Sequence, residues 1–247
     1  LFMGLVSKEA IPDFILITTI LKMSFAGLNF YLLCRFTQHK IAFSHYAFAV
    51  GYALVSYSFI YLSNYMWIDG VMILPLMVLG LNLLKESKVC YLYSISLAYS
   101  LISSWYIGFM TCVFSVFYFM YLFFSDANSF KEKMPFFLRY VIYSLIGGFL
   151  GAICWLTAFL HFSGTKATQS FPKFDFGSLS MLLTGFLENN YMTTGNITQY
   201  FGYASMFTGM VSLVFFLRSF FNPGIKVRER ISYGVLFFFY CLCILST

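Results

Sequence analysis

Charged side chains are scarce in this 247-residue sequence, which has 15 basic and 9 acidic residues and a charged fraction of 10%. An ordinary soluble domain carries about 25%, so these residues cannot supply a water-facing surface. The scarcity excludes a soluble globular protein and a disordered chain, and it leaves a membrane protein as the class. The apolar stretches are long and do not alternate with a period of two residues, which argues against a transmembrane β-barrel.

Cysteine and histidine are also few, with six and three residues, and their positions do not favour a metal site. Every cysteine lies within or at the end of an apolar stretch, so we interpret them as small apolar residues rather than disulfide partners or metal ligands. Cys241 and Cys243 are too closely spaced for a zinc knuckle, and no second pair accompanies them. The cofactor is unknown at this stage, with a divalent cation as the one candidate.

Long apolar stretches are what the sequence has in abundance: 60% of its residues are apolar, and its mean hydropathy is +0.81. A helix needs about 20 residues to cross a bilayer. The sequence predicts an all-α, polytopic transmembrane bundle of about eight spans that forms a single domain over residues 1–247. The predicted spans are 14–34, 45–62, 70–84, 89–104, 107–124, 140–162, 200–218 and 231–247.

Lysine and arginine are distributed unequally between the connections. Eleven of the fifteen basic residues fall in one alternate set of loops, three fall in the other set, and one lies in the first span. The positive-inside rule assigns the richer set to the cytoplasm, so we expect the N-terminus of the chain outside the cell membrane. The eleven residues are Arg35, Lys40, Lys85, Lys88, Lys131, Lys133, Arg139, Arg218, Lys226, Arg228 and Arg230.

The two ends of the chain predict that it is the interior of a longer protein. It starts at Leu1 on the predicted outer side without a signal peptide, which usually requires an upstream span. It stops at Thr247 within an apolar stretch.

Polar residues suited to chemistry gather at the predicted outer ends of the spans. Asn64, Trp67 and Asp69 lie within six residues of one another between the second and third spans. The Asp69 carboxylate is able to bind a metal, orient a sugar hydroxyl or act as a base. The alternative is an interfacial tryptophan beside an aspartate that caps the third span, and both interpretations stay open.

The tight turn at 103–107 brings two more aromatic residues to the same side. Trp105 and Tyr106 suit stacking on a sugar ring, whose C–H groups face the π-cloud. The same two residue types are the usual anchors at a membrane interface, and the residues alone favour that interpretation.

Lys22 lies eight residues inside the first predicted span, about 12 Å below its outer end. A lysine at that depth costs roughly 2.5–3.5 kcal/mol on insertion scales, so it needs a partner or a wet cavity. One candidate partner is a lipid phosphate from the outer leaflet; the alternatives are snorkelling to the interface and pairing with an acid. No Asp or Glu lies within the other predicted spans, which weakens the pairing alternative.

The connection 163–199 is the longest extramembrane segment, and long connections are usually functional lids or binding elements. Its residues 177–188 predict an amphipathic helix lying on the membrane. Because no second histidine lies on the predicted outer side, a histidine-based metal site is not expected. The candidate site residues are Lys166, Asp175, Glu188 and, just before the connection, His161.

Several short motifs occur in an order that resembles one known family. The first span reads K-x-x-x-A-G-L-x-F-Y from Lys22 to Tyr31. Later motifs are Asn64-x-x-Trp67-Ile68-Asp69, Leu74-Pro75-Leu76, the turn from Ile102 to Met110, Tyr200-Phe201-Gly202 and Arg228-Glu229-Arg230-Ile231. The ordered set resembles the bacterial YfhO-type membrane proteins, which have a GT-C glycosyltransferase architecture, and it covers most of the chain.

The resemblance implies sugar transfer on the outer face of the bacterial cell membrane. The donor would be an undecaprenyl-phosphate sugar and the acceptor a cell-wall polymer such as teichoic acid. The family's base is a carboxylate in a first outer loop that is absent here, so Asp13 is not assigned that role. Lys22 would then meet the donor phosphate and Asp69 would play a supporting catalytic part. The candidates for contact with sugar or acceptor are Asn64, Trp67, Trp105 and Tyr106.

This sequence departs from the family pattern at two places. Ser104 stands where the family tends to have asparagine, which leaves any contact of that asparagine in doubt. Leu156-Thr157 replaces a Pro-Thr pair, a change that straightens a span.

Two other functions fit the sequence. A multispan transporter or lipid flippase also suits many spans with one intramembrane charge, although no inverted repeat is evident. A non-catalytic membrane scaffold is the third interpretation. No nucleic-acid partner is expected, because the basic residues serve as topology anchors.

Overall fold

The structure is a computed structural model that describes residues 7–38, 43–55, 58, 66–86, 91–125, 130–162, 217–218, 220–222, 227, 230–231 and 234–235. Within these ranges the regular structure is helical, and no strand occurs among them. The predicted connection 163–199 lies outside the described residues, as does most of the predicted spans 200–218 and 231–247.

Six helices make up the described bundle. A short 3-10 turn, Lys8–Ala10, leads directly into the first of them. The helices are α1 (Ile11–Gln38), α2 (Phe43–Ala53), α3 (Ile68–Lys85), α4 (Tyr91–Ser103), α5 (Trp105–Ser125) and α6 (Phe130–Phe162). Each overlaps one of the first six predicted spans, so the all-helical class is confirmed, whereas the count of eight spans stays a prediction.

Four segments of the described part are long and apolar enough to cross a bilayer. They are Lys8–Gln38, Ile68–Lys85, Trp105–Ser125 and Phe130–Thr157. Helix α4 has 13 residues, which is about 20 Å and shorter than a hydrocarbon core of about 30 Å. A chain with these helices fits a multi-pass membrane protein.

Consecutive helices run in opposite directions, because residues near the end of one contact residues near the start of the next. Tyr31 and Tyr46 stack with ring centroids 4.9 Å apart, and Gly27 lies against Ala53. This makes α2 antiparallel to α1. Helix α4 is antiparallel to α3, since Gly80 lies against Tyr93 and Asp69 bonds Ser103. Helix α5 is parallel to α3, since Asn82 bonds Tyr118 and Gly70 lies against Ile107. Helix α6 is parallel to α4, since Ser94 bonds Tyr143 and Leu101 lies against Gly151.

Glycines allow α4 to approach both of its neighbours closely. A Cβ on Gly80 of α3 would come within 2.7 Å of the Tyr93 backbone nitrogen. On the other side of α4, a Cβ on Gly151 would come within 2.9 Å of the Leu101 Cβ. The small-residue pair Gly147 and Gly151 therefore packs against α4 of the same chain, as in other small-residue helix contacts in membranes.

Pro75 in the middle of α3 explains a contact from the neighbouring helix α2. Proline has no N–H and leaves the carbonyl four residues earlier without its helical donor, which here is the carbonyl of Val71. The Tyr52 hydroxyl donates to that carbonyl at 2.8 Å, as a side chain must where a freed backbone group lies in a bilayer without water. The Asn29 amide of α1 donates separately to the Met72 carbonyl at 2.7 Å. These bonds fix α3 against α1 and α2 just below the site.

Candidate functional site

Lys22 and Asp69 form an ion pair at one end of the bundle. The Lys22 Nζ lies 2.9 Å from the Asp69 Oδ1, and their side chains are 19% and 9% exposed. Helix α1 supplies the lysine and helix α3 the aspartate. The two helices run parallel, and the long aliphatic stem of the lysine lets its ammonium group reach the first turn of α3.

The structure therefore has Lys22 paired with an acid, the alternative that the predicted spans had weakened. The predicted third span began at residue 70, whereas α3 begins at Ile68, so Asp69 belongs to its first turn. The alternative in which Asp69 caps the third span is also wrong, because Trp67 occupies the N-cap position. The carboxylate instead contacts side chains of other helices.

Two hydroxyl groups of α4 also donate hydrogen bonds to the Asp69 carboxylate. Tyr99 donates to the Asp69 Oδ1 at 3.2 Å, and Ser103 donates to the Asp69 Oδ2 at 2.5 Å. Tyr99 and Ser103 are four residues apart and so lie on one helix face. A carboxylate that contacts a cation and two hydroxyl donors is fixed in orientation.

Sequence reasoning missed Tyr99 and assigned no role to Ser103. Their spacing of four residues near the end of a predicted span was visible. That spacing does not say which neighbouring helix the two hydroxyls face. The contact depends on α4 being antiparallel to α3, so that its last turn meets the first turn of α3.

An aromatic pair borders the ion pair. The Trp67 ring stacks on the Tyr106 ring with centroids 5.9 Å apart, and Trp67 precedes Asp69 by two residues. Gly70 permits this proximity, because a Cβ there would lie 2.5 Å from the Ile107 side chain. The first turns of α3 and α5 are thereby brought together, with Tyr106 46% exposed.

Trp105 belongs to the same end of α5 but has a different contact. Its ring packs against Phe109 of its own helix, with centroids 5.9 Å apart. The structure thus joins four of the predicted site residues at one end: Lys22, Asp69, Trp67 and Tyr106.

The remaining predicted site residues are not brought into this arrangement by the described part of the chain. Asn64, Lys166, Asp175 and Glu188 lie outside the described residues, as does the predicted helix 177–188. His161 lies in α6, but its side chain is also outside the description.

Metal ligands are not clustered in the described ranges. No group of three or more His, Cys, Asp or Glu side chains is close enough there to hold an ion. Cys34, Cys112 and Cys154 are free thiols. What the site offers chemically is one cation, one oriented carboxylate, two hydroxyl groups and an adjacent aromatic surface.

The family comparison agrees with the resemblance found in the motifs. A family model described as bacterial membrane protein YfhO matches residues 1–247, the whole chain. The chain therefore belongs to the YfhO family of bacterial membrane proteins. Searches of curated proteins and of solved structures return no match.

Proposed function

We propose, from its membership of the YfhO family and from the geometry around Lys22 and Asp69, that the chain is part of a membrane glycosyltransferase. The enzyme moves a sugar from an undecaprenyl-phosphate carrier to a cell-wall polymer of the teichoic-acid type on the outer face. The proposal includes the GT-C architecture, the eight spans and the outward N-terminus. The observation that carries it is a buried lysine–aspartate pair beside stacked aromatic rings at the end of the bundle predicted to face outward.

Lys22 is the group suited to the donor phosphate. In the present structure its ammonium group binds the Asp69 carboxylate at 2.9 Å. A phosphate oxygen is an equally good acceptor for an ammonium group, so the donor competes with Asp69 for Lys22. When the sugar leaves, the carrier phosphate gains negative charge, and a positioned cation stabilises that charge by several kcal/mol.

Asp69 takes the supporting role once Lys22 turns to the phosphate. Tyr99 and Ser103 keep the carboxylate in place, where it orients an acceptor hydroxyl. The acceptor oxygen forms the new bond to the anomeric carbon, the bond from that carbon to the phosphate oxygen breaks, and the hydroxyl proton passes to a base. We do not assign the base to Asp69.

The aromatic rings are suited to the sugar. The Trp67 and Tyr106 pair presents ring faces of the kind that pack against sugar C–H groups. Trp105 at the start of α5 extends this aromatic end. Further contacts with sugar or acceptor are proposed for Asn64, His161, Lys166, Asp175 and Glu188.

A transfer assay tests the function directly. The full-length parent is reconstituted in liposomes with radiolabelled undecaprenyl-phosphate sugars and a teichoic-acid acceptor, and the wild type is compared with Lys22→Ala and Asp69→Ala. We expect label to reach the acceptor and to fall strongly in both variants when equal amounts of folded protein are reconstituted. No transfer from any of several donors would contradict the glycosyltransferase proposal, whereas transfer unaffected by both substitutions would contradict the site only.

A transporter or lipid flippase is the second candidate, and one observation favours it. Ser96 lies seven residues before Ser103 on α4 and so shares its face, and its buried hydroxyl has no hydrogen-bond partner within the described residues. A row of hydroxyls that continues inward from Asp69 suits a polar path. Cysteines placed along this face and probed from both sides distinguish the two functions: access from both sides favours transport, and access from outside alone favours transfer.

A further inference from the structure

A groove on the bundle surface lies between the end of α5 and the start of α6. Its volume is about 210 Å³, and five phenylalanines and two methionines line it. Phe119 forms its buried part, 13 residues along α5 from Tyr106, which is about 20 Å. The groove is therefore remote from the Lys22–Asp69 site and plays no part in the proposed transfer.

The shape of the groove suits a segment of a long chain. Pockets for small molecules usually measure about 300–1,000 Å³, so this volume holds only part of a ligand. Phe124 and Phe130 at its mouth are 60% and 65% exposed, which leaves the groove open along the side of the bundle. The described lining residues offer no polar group to a bound molecule, so the groove suits hydrocarbon.

Positive charge lies at the rim. The Lys133 Nζ is 5.3 Å from the centroid of the Phe123 ring, which lines the groove. Lys131 is exposed one turn of helix away from Met134, another lining residue. Residues 126–139 contain three basic residues (Lys131, Lys133 and Arg139) and two acidic ones (Asp126 and Glu132), so this stretch carries a net positive charge.

The rim also lies at the end of the bundle whose loops carry most lysines and arginines. The positive-inside rule predicts this end to be cytoplasmic. The cytoplasmic leaflet is rich in anionic lipids, and basic pockets between helices on this side bind their headgroups.

We propose that the groove binds an anionic phospholipid of the cytoplasmic leaflet. One acyl chain lies along the phenylalanines, and the headgroup phosphate binds at Lys131 and Lys133. Charge complementarity at the rim selects an anionic lipid over a neutral one, and the apolar lining alone would not do so.

The test is native mass spectrometry of the purified full-length protein titrated with phosphatidylglycerol or with phosphatidylcholine. Removing two cations by Lys131→Gln with Lys133→Gln should weaken phosphatidylglycerol binding by about 30-fold and leave phosphatidylcholine binding unchanged. The matched control is Lys8→Gln with Arg35→Gln, which removes the same charge from two exposed positions away from the groove and should change neither.

A second variant tests the groove without altering charge. Met120→Trp places a larger side chain in the groove from a lipid-facing position, 46% exposed, and should also weaken phosphatidylglycerol binding. Equal binding in wild type and all variants would overturn the proposal. A dimer that is lost in Met120→Trp while lipid binding is unchanged would also overturn it and would identify a second copy as the occupant.

Discussion

Lys22 and Asp69 are the two ends of one ion pair, with 2.9 Å between the ammonium nitrogen and a carboxylate oxygen. An unpaired Lys22 would be costly within its span, since a lysine at the centre of a span costs roughly 2.5–3.5 kcal/mol, and Asp69 supplies the opposite charge. Together they neutralise each other and join α1 to α3. The pair also keeps a cation available at a place where a phosphate can compete for it.

The first prediction concerns the stability of the pair. Lys22→Met or Asp69→Asn leaves one buried group without its partner, which typically costs about 3–5 kcal/mol when fully buried; with 19% exposure of the lysine side chain we expect the lower end. The double variant should lose less than the sum of the two. Thermal unfolding in detergent measures this, with Lys8→Met as the exposed control. Additive losses would contradict a direct interaction.

The second prediction concerns the hydroxyls that hold Asp69. Tyr99→Phe and Ser103→Ala each remove one hydrogen bond to a charged group, worth about 1.5–3 kcal/mol, so each should lower kcat/KM of transfer about tenfold. Ser100→Ala is the matched control, because its hydroxyl bonds the Leu97 carbonyl of its own helix. A drop in the control as large as that in Ser103→Ala would show that the loss comes from α4 packing.

The third prediction concerns the carbonyl that Pro75 leaves without a donor. Tyr52→Phe removes the 2.8 Å bond to Val71 and should lower the free energy of unfolding by about 1–3 kcal/mol. In a Pro75→Ala background a backbone N–H becomes available to that carbonyl, so Tyr52→Phe should cost much less. The comparison is a double-mutant cycle followed by thermal unfolding. The same cost in both backgrounds would mean that the tyrosine acts by packing alone.

The fourth prediction concerns the sugar platform. Trp67→Ala removes one ring of the stacked pair, and loss of an aromatic contact of about 1 kcal/mol or more should raise the KM for the lipid-linked sugar at least fivefold with a smaller change in kcat. Trp155→Phe is the control, since that indole bonds the Gly148 carbonyl within α6. Equal KM values for Trp67→Ala and wild type would assign Trp67 to the membrane interface.

The features predicted correctly from the sequence are those that depend on a single chemical property of the residues. Scarce charge and long apolar stretches predicted the helical membrane class. The depth of Lys22 in a span correctly indicated that it needs a partner, because burial of a charge is costly in any arrangement of helices.

The identity of that partner was beyond the sequence pattern. Asp69 falls two residues from a helix end, and the hydropathy pattern does not fix helix ends to that precision. Tyr99 and Ser103 reach Asp69 because α4 packs closely along α3, a packing that Gly80 permits at Tyr93. Such contacts depend on how two helices pack together, and the sequence of either helix alone does not determine that packing.

The central claim is that Lys22 is a phosphate ligand for which Asp69 competes, and binding of undecaprenyl phosphate to the full-length protein tests it most directly. Lys22→Met should weaken binding about tenfold or more through the loss of a charged hydrogen bond. Asp69→Asn should strengthen it, because the lysine is released, even though transfer falls. Opposite signs are the result we predict; two variants that weaken binding equally, or that leave it unchanged, would contradict the account.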